Sequence, residues 1–439
     1  MARKTRGAAA LAALCAGVLL TTAACGGSDS SNDGGSSGGK TTVTWWHNSN
    51  ETDKVTGGGK AYYEQVAADY EKAHPDVDIK ISAMAHEDML TKLDAAMQSG
   101  DMPDIYMERG GGELVSHVEA GITKDISDDA ADVISNLGAS VAGWQVDGKT
   151  YGLPFSMGVV GFWYNKDLFA QAGITAAPTT LDEWLTDVDK LKAADIVPVS
   201  VGVKDKWPAG HWWYYTVLRS CSQDTLQSAV KSLDFSDPCF VKGGEVLKQI
   251  VDAKPFNQGF LSTPGQTGTN GASSLLATGK AAMELAGHWE PGVMAGLVKD
   301  GTGLSGDKLG WFPFPAVDGG AGDPGAQLGG GDAWAVSKDA PEAAVDFVKY
   351  LLSDEVQTGF AAKNMGLPTN PAAGSAVKDP AMAQLLQVRD SAPFIQLYFD
   401  TAFGTNVGNA MNDAIVNLFA GQATPQQVVD ATQKAADQE

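Results

Sequence analysis

Two short clusters of aromatic and polar residues are the first feature of this 439-residue chain that could do chemistry. Trp46, His47 and Asn48 follow one predicted strand, and Glu108 and Arg109 follow another. An indole can cover the C–H face of a sugar ring, while amide and charged groups can hydrogen-bond to the hydroxyls at its rim. The carboxyl ends of parallel strands meet at one edge of a sheet, so we expect both clusters to line a ligand site there.

Further aromatic residues lie near strand exits or in loops rather than in periodic core patterns. Lys206 and Trp207 follow a predicted strand, and Asp332 and Trp334 follow three glycines, which permit close approach of the backbone to a ligand. The chain has 11 tryptophans in all. This supply of aromatic residues favours a carbohydrate as the ligand, with a peptide, a polyamine or a phosphate ester as the alternative.

A secreted glycoside hydrolase or peptidase is the alternative class of protein. His86 and Glu87 do not form a His-Glu-x-x-His zinc motif, because no second histidine stands at the required position. A glycoside hydrolase needs two carboxyl groups that face one bond, and with 53 acidic residues the sequence leaves that alternative open. We expect a binding protein without catalytic activity, cofactor or metal.

The elements that would position these clusters alternate between strands and helices. Runs of β-branched and aromatic residues predict strands, and apolar residues at helical spacing predict helices. The predicted strands cover residues 41–46, 77–81, 103–107, 159–164 and 197–201. The predicted helices cover residues 60–73, 87–98 and 181–191. This alternation indicates an α/β fold with a mostly parallel sheet.

Residues 1–24 have the parts of a secretory signal peptide. A basic start is followed by an apolar stretch, Ala8 to Leu20, which is too short to remain a membrane-spanning helix. Small residues then lead directly to Cys25. The segment resembles the lipobox of bacterial lipoproteins, in which a cysteine at this position receives a diacylglycerol and becomes the new N-terminus. The alternative is an ordinary signal peptide cut near Ala24, with Cys25 left free.

We expect residues 25–40 to form a lipidated cysteine followed by a flexible tether. The run from Gly26 to Gly39 contains only glycine, serine, aspartate and asparagine, so it has no apolar side chain to contribute to a core. A tether of this length reaches about 20 Å. It would hold a folded domain at the outer face of the cytoplasmic membrane, with the lipid as the only membrane contact.

The charge of the chain limits its partners. The formal net charge is −22 at pH 7. An acidic surface repels phosphate groups, so nucleic acid and anionic lipid are not expected as main partners.

Two cysteines, Cys221 and Cys239, remain once Cys15 leaves with the signal peptide and Cys25 carries lipid. In an exported protein, one disulfide is the economical pairing. A metal or redox site is the alternative, but neither a Cys-x-x-Cys spacing nor a nearby histidine cluster supports it.

An ordered series of short motifs resembles the bacterial extracellular solute-binding proteins of the cluster that includes the maltose-binding protein. The resemblance extends from Thr41 to about Ala435 and rests on the order of the motifs rather than on any single one. The motifs include Pro103-Asp104-Ile105, Leu153-Pro154, Trp163-Tyr164-Asn165-Lys166, Gly279-Lys280-Ala281-Ala282-Met283, Gly287-His288-Trp289, Ala333-Trp334-Ala335-Val336-Ser337 and Gly366-Leu367-Pro368.

The resemblance implies a two-lobed fold of the periplasmic-binding-protein type, with hinge strands and a ligand cleft between the lobes. The expected N-terminal lobe comprises residues 41–156 and 312–340, and the C-terminal lobe comprises residues 157–311 and 341–439. The hinges would let the lobes close over a ligand. The resemblance also implies a monomeric binding component of an ABC importer, whose partners are an oligosaccharide and the permease subunits.

The same resemblance assigns roles to individual aromatic residues. Trp289 corresponds to the chief stacking platform for sugar, and Trp207 and Phe403 match positions of further aromatic contacts. The Trp-His-Asn and Glu-Arg-Gly-Gly-Gly segments look like those of sugar binders of Gram-positive importers. The resemblance therefore implies a xylo- or gluco-oligosaccharide of two to four units, with xylobiose as the first expectation.

Overall fold

The computed structural model describes residues 39–49, 58–298 and 304–439. The predicted signal peptide at 1–24, the lipidation site Cys25 and the tether up to residue 38 lie outside the described residues.

Strands and helices alternate through the first half of the described chain, and helices dominate its C-terminal part. The strands are β1 (Thr41–His47), β2 (Val77–Ala83), β3 (Ile105–Glu108), β4 (Gln145–Val146), β5 (Lys149–Thr150), β6 (Gly152–Val159), β7 (Gly161–Asn165), β8 (Val199–Ser200), β9 (Met283–Ala286), β10 (Leu309–Phe312), β11 (Gln327–Val336) and β12 (Ile395–Leu397). The helices are α1 (Gly58–Ala73), α2 (His86–Ser99), α3 (Gly111–Glu119), α4 (Ala131–Leu137), α5 (Lys166–Gln171), α6 (Leu181–Ala193), α7 (Trp207–Ser220), α8 (Gln223–Ser232), α9 (Pro238–Asp252), α10 (Ala272–Ala277), α11 (Glu290–Leu297), α12 (Glu342–Leu351), α13 (Asp354–Ala362), α14 (Pro380–Ser391), α15 (Phe399–Ala402), α16 (Thr405–Phe419) and α17 (Pro425–Ala436).

Two mixed sheets organise these elements. The first sheet has the order β12-β11-β3-β1-β2, with β6 also paired to β11. β1 runs parallel to β2 and β3, whereas β11 runs antiparallel to β3 and β6. The second sheet has the order β10-β7-β9-β8, and β7 is antiparallel to both neighbours. The α/β class is confirmed, but the sheets are less parallel than the alternation of elements predicts. Consecutive parallel strands need a crossover, usually a helix. In this described part of the chain, no helix separates β10 from β11, and β11 pairs antiparallel with β3 and β6.

The chain passes from the first sheet to the second at Val160, the one residue between β6 and β7. The Val160 N–H donates to the Leu328 carbonyl of β11 (2.8 Å), and the Val160 carbonyl accepts from the Tyr215 hydroxyl of α7. The return passage lies between β10 and β11. The hinge strands implied by the resemblance stay a prediction.

The first sheet covers a core that is rich in aromatic residues. Trp45 projects inward from β1 and makes edge-to-face contacts with Tyr63, Trp334 and Phe347 at centroid distances of 5.0–5.2 Å. Helices α12 and α13 contribute to the same core through residues such as Phe347 and Phe360. The sequence prediction placed 341–439 with the second lobe, but the packing of α12 and α13 associates them with the first sheet.

The second sheet covers a separate core. The predicted apolar face of α6, including Leu181, Trp184 and Leu191, is buried in it. A capping box starts α6, in which Thr180 and Glu183 satisfy each other's backbone N–H groups. Helix α7 is buried from Pro208 to Ser220, so its consecutive aromatic residues belong to this core. Among the described helices, none is long and apolar enough to cross a bilayer.

Two carboxyl groups are buried close to each other between β9 and α11. Glu284 is 5% exposed and Glu290 is fully buried. The Ser273 hydroxyl donates to Glu284 Oε1 (3.4 Å), and Glu290 is close enough to hydrogen-bond with Ser273 and Glu284. Burial raises the pKa of Glu290 to about 8, and burial together with the neighbouring Glu290 raises the pKa of Glu284. The folded protein therefore keeps these protons to a higher pH than the unfolded chain does.

The predicted disulfide between Cys221 and Cys239 is confirmed. It joins the residue that follows α7 to the first turn of α9, and both helices belong to the second core. The bond therefore holds α7 and α9 together where both helices pack in the second core.

Replacing Cys221 and Cys239 together with serine should lower the free energy of unfolding by about 3 kcal/mol, because the bond restricts the unfolded chain. Denaturant unfolding of the exported wild type and the double variant measures the difference. A reducing agent should bring the wild type to the stability of the variant and leave the variant unchanged. Equal stabilities without reductant would contradict the prediction.

Stability should also depend on the ionisation of Glu290. Because its pKa is raised on folding, the free energy of unfolding falls as the pH rises from the ordinary carboxyl range towards 8. Glu290→Gln keeps the size of the side chain and removes the charge. Its melting temperature relative to wild type should therefore be higher at about pH 8.5 than at about pH 5.

Thermal unfolding at the two pH values measures this effect, with the exposed Glu245→Gln as the matched control. The control should show no such change with pH. A Glu290→Gln difference of the same size at both pH values would count against a buried, proton-holding carboxyl.

Candidate functional site

A cavity of about 540 Å³ collects side chains from both sheets and from the helices attached to them. Its volume lies within the range of small-molecule sites. The first sheet and its helices contribute Asn48, His86, Glu87, Arg109, Ser156 and Asp332. The other side of the cavity is lined by Trp207, His211, Trp289 and much of α11. Tyr398 and Asp400 complete the lining from the chain after β12.

Four rings form what we call the aromatic wall: Trp207, His211, Trp289 and Tyr398. Their neighbouring centroids lie 5.1–6.4 Å apart, and most pairs meet edge to face or tilted. Within this wall His211 is buried, whereas the other three rings are half-buried. An aromatic surface of this size can cover the apolar face of a ring-shaped ligand.

Trp289 owes its position to the turn that follows β9. Gly287 leaves no room for a side chain, because a Cβ there would lie 2.3–2.4 Å from atoms of the Trp289 ring. The Gly287 carbonyl accepts a hydrogen bond from Trp163 Nε1 (2.9 Å), and His288 Nε2 is bonded to Ser156 Oγ (2.8 Å). The two residues before Trp289 are therefore each held by a hydrogen bond, and the indole extends from this turn into the cavity.

A second feature of the site is the Arg109 cluster, which consists of Arg109, Glu113, Asp332 and Asp400. Glu113 lies in the first turn of α3 and accepts from Nε and Nη2 of Arg109. Burial opposes the charge of Arg109, but the carboxylates of Glu113, Asp400 and Asp332 raise its pKa above the ordinary value. The guanidinium is therefore permanently charged and held in place.

Asp332 and Asp400 are costly to ionise. Burial raises the pKa of Asp332 to about 6, although Arg109 acts in the opposite direction. Burial also raises the pKa of Asp400, which accepts from Asn412 Nδ2 (3.3 Å). The Tyr398 hydroxyl and Trp289 Nε1 are buried without a hydrogen-bond partner among the described residues. A ligand rich in hydroxyls could supply partners for these groups.

A direct hydrogen bond joins the two sides of the cavity. Trp207 Nε1, at the start of α7, donates to Glu87 Oε1 in the first turn of α2 (2.9 Å). Glu87 therefore fixes the orientation of the Trp207 ring from the other side. Burial raises the pKa of Glu87, and its bond to Trp207 lowers it.

Five of the residues predicted from the sequence line the cavity: Asn48, Arg109, Trp207, Trp289 and Asp332. Asn48 Nδ2 is 3.0 Å from His86 Nδ1, which ties the exit of β1 to the start of α2. Contact of these residues with a ligand stays a prediction, but the structure does bring them together.

Trp46 and Lys206 do not line the cavity. The Lys92 ammonium lies 3.9 Å from the centroid of the Trp46 ring, and Lys206 forms an ion pair with Asp413. Lys92 covers the Trp46 ring, and Asp413 pairs with the Lys206 ammonium. We therefore leave both residues out of the proposed ligand set.

Four more predicted residues are buried away from the cavity. His47 shares the inward face of β1 with Trp45, with ring centroids 4.6 Å apart. Burial lowers the pKa of His47 to about 3, so it is a neutral core residue. Glu108 accepts from the Gly110 N–H and is bonded to His117 Nδ1 (2.6 Å). Both residues are next in sequence to a lining residue, Asn48 or Arg109, but neither lines the cavity itself.

Trp334 and Phe403 also belong to cores rather than to the cavity. Trp334 stacks on Phe155 at 4.2 Å, and Phe403 stacks on Phe399 at 5.0 Å. Asp332 and Trp334 would share a face of a regular strand, but the register of β11 shifts between Asp332 and Ala333. This irregularity lets Asp332 face the cavity while Trp334 faces the core, so we remove Trp334 and Phe403 from the ligand set.

The sequence did not single out His86, Ser156, His211, Tyr398 or Asp400 as site residues. Glu87 was noted only as part of an incomplete zinc motif, although it starts a helix directly after a strand exit. Asp400 and Tyr398 follow a three-residue strand that carries no recognisable pattern. Their place in the site depends on long-range pairing of β12 with β11.

Glu108, Glu113 and His117 offer atoms that lie within 4.8 Å of one another, a spacing that could hold a metal ion. Each of these groups already has a protein partner, since Glu108 is bonded to His117 and Glu113 to Arg109. Hydrogen bonding within the protein accounts for this arrangement. Through Glu113 it also holds Arg109 in place.

Comparison with known proteins gives a consistent match. The sequence model of the family described as bacterial extracellular solute-binding protein matches residues 53–358. The diacetylchitobiose-binding protein DasA of Streptomyces coelicolor is 26% identical over 329 residues, which cover 73% of this chain and 72% of the relative.

Solved structures match over nearly the whole chain. A structure from work on xylan utilization by the thermophilic bacterium Caldanaerobius polysaccharolyticus aligns with a TM-score of 0.81 at 26% identity, covering 90% of this chain and 99% of that one. A chitin oligosaccharide-binding protein aligns with a TM-score of 0.78 at 26% identity, covering 91% of this chain and 98% of that one. The predicted two-lobed binding-protein fold is confirmed by these matches.

Proposed function

The chain belongs to the family of bacterial extracellular solute-binding proteins, and we propose that it is the oligosaccharide-binding component of an ABC-type importer. In this proposal the cavity holds the ligand between two hinged lobes. Closure of the lobes would present the loaded protein to the permease subunits.

The observation that carries the proposal is that Trp289 lines the same cavity as Arg109, Asp332 and Asp400. The indole offers an apolar surface for the C–H face of a sugar ring, and the carboxylates accept hydrogen bonds from its hydroxyls. The orphaned Tyr398 hydroxyl and Trp289 Nε1 add donors to the same space. This combination fits a saccharide better than a phosphate ester, which the carboxylates would repel.

The relatives support a sugar ligand without identifying it. DasA is named for diacetylchitobiose, and the two solved structures are described with xylan utilization and with chitin oligosaccharide. We propose a xylo- or gluco-oligosaccharide of two to four units, with xylobiose as the first candidate.

Trp289→Ala should weaken sugar binding by about 1–3 kcal/mol, because it removes buried apolar area and the stacking surface. A thermal-shift screen against di- and trisaccharides first identifies a ligand, and calorimetry then measures the affinity of each variant. Trp289→Phe should retain part of the affinity, since it keeps a flat ring. Trp46→Ala, a half-buried tryptophan outside the cavity, is the matched control and should bind as wild type does.

Unchanged affinity of Trp289→Ala would remove the indole from the ligand site. Failure of every saccharide to raise the melting temperature would contradict the proposed function. The sugar should be recovered intact after incubation, and its cleavage would favour the glycoside hydrolase instead.

We also propose that Cys25 anchors the protein to the outer face of the cytoplasmic membrane through a diacylglycerol. The lipobox-like segment at 1–24 and the polar tether that follows support this proposal. Cys25→Ser should release the protein into the medium, because one lost thioether removes the only expected membrane contact. Fractionation of cells and medium measures the release, and retention of the variant on the membrane would contradict lipidation.

A further inference from the structure

The cavity lining carries more negative than positive side chains. Its carboxylates are Glu87, Asp205, Asp332, Asp379 and Asp400, and its cations are Arg109 and Lys363. The histidines add no charge at neutral pH. Burial lowers the pKa of His86 to about 4, with help from Arg109, and lowers those of His211 and His288 to about 3.

The positive charge of Arg109 is already compensated within the protein. Glu113, which is 7% exposed, pairs with it from the first turn of α3, four residues further along the chain. The Arg109 cluster therefore contains one positive and three negative groups when both aspartates are ionised. Lys363, the other cation, lies at the end of α13 and 5.8 Å from the ring of Tyr62.

Asp332 differs from the other carboxylates of the lining. Glu87 accepts from Trp207, Asp205 accepts from the Gly265 N–H, Asp379 caps α14, and Asp400 accepts from Asn412. No hydrogen bond from elsewhere in the described chain contributes to the environment of Asp332, whose neighbours act through charge alone. Its partly buried carboxylate lines the cavity, so a ligand there can donate a hydrogen bond to it.

We propose that the cavity selects saccharides by charge: it binds neutral and amino sugars and rejects uronic acids and other anionic sugars, with Asp332 and Asp400 as the discriminating residues. The inference rests on the proposed sugar-binding function and adds the chemical class of the sugar. Hydroxyl and ammonium groups donate hydrogen bonds to a carboxylate and so offset the cost of keeping its charge away from water. A ligand carboxylate would lose water and gain a like-charged neighbour, and no free cation of the Arg109 cluster would compensate it.

Three matched disaccharides test the proposal on the purified protein: cellobiose, the dimer of glucosamine with the same linkage, and cellobiouronic acid. Xylobiose and its counterpart with a terminal glucuronic acid form a second neutral and anionic pair. In titration calorimetry, the neutral sugar of a pair should bind at least about tenfold more tightly than the uronic acid. The glucosamine dimer should bind at least as tightly as cellobiose.

Asp332→Asn and Asp400→Asn keep the size of each side chain and its capacity to accept a hydrogen bond. Each substitution should reduce the ratio of neutral to uronic affinity several-fold, and the double variant should nearly remove it. Asp430→Asn on α17 makes the same change of charge at an exposed position outside the cavity, and it should leave the ratio unchanged.

A uronic acid that binds wild type as tightly as its neutral counterpart would overturn the charge selection and leave sugar binding intact. A ratio that does not respond to either cavity substitution would also overturn the assignment to Asp332 and Asp400. Should a variant fail to fold, the wild-type ratio by itself decides the first point. Absence of binding by any sugar would instead contradict the proposed function, and this inference with it.

Discussion

A buried hydrogen bond between Ser156 Oγ and His288 Nε2 links the two halves of the cavity (2.8 Å). Ser156 belongs to the first sheet, and His288 lies two residues after the end of β9 in the second. The imidazole fits because Gly158 has no side chain, and a Cβ there would lie 2.3–2.5 Å from two atoms of the ring. Burial lowers the pKa of His288 to about 3, so the bond forms without the cost of a buried charge. The position of Trp289, the next residue, depends on this contact.

The cavity retains polar groups that the protein itself does not satisfy. Buried polar atoms in folded proteins nearly always have a partner, yet the Tyr398 hydroxyl and Trp289 Nε1 have none among the described residues. Asp332 and Asp400 add carboxyl groups whose pKa values are raised by burial. Folding therefore leaves a cost at the cavity that an incoming ligand can offset.

Periodicity predicted the secondary structure well where burial decided the pattern. The strand predicted at 41–46 and the helix predicted at 181–191 are present as β1 and α6, and their buried residues include Trp45 and Trp184. The expectation that Asp332 and Trp334 both contact the ligand, which rested on the three glycines before them, was wrong for Trp334, because the irregularity next to Asp332 changes which side chains face the core. The sequence also could not separate Phe403 from a ligand contact, since an apolar ring fits a core and a sugar site equally well. Resemblance placed Trp207 and Trp289 at the cavity, but not the Glu87 bond that orients Trp207.

The sequence by itself determined the α/β class, the pairing of Cys221 with Cys239 and the kinship with solute-binding proteins. Each of these follows from local patterns, composition or the order of motifs along the chain. Only the tertiary structure decided that Arg109, Asp332 and Asp400 meet, because strand pairing joins segments separated by hundreds of residues. Spacing along a chain reports which face a residue occupies, whereas charge and hydrogen bonding depend on neighbours that distant segments supply.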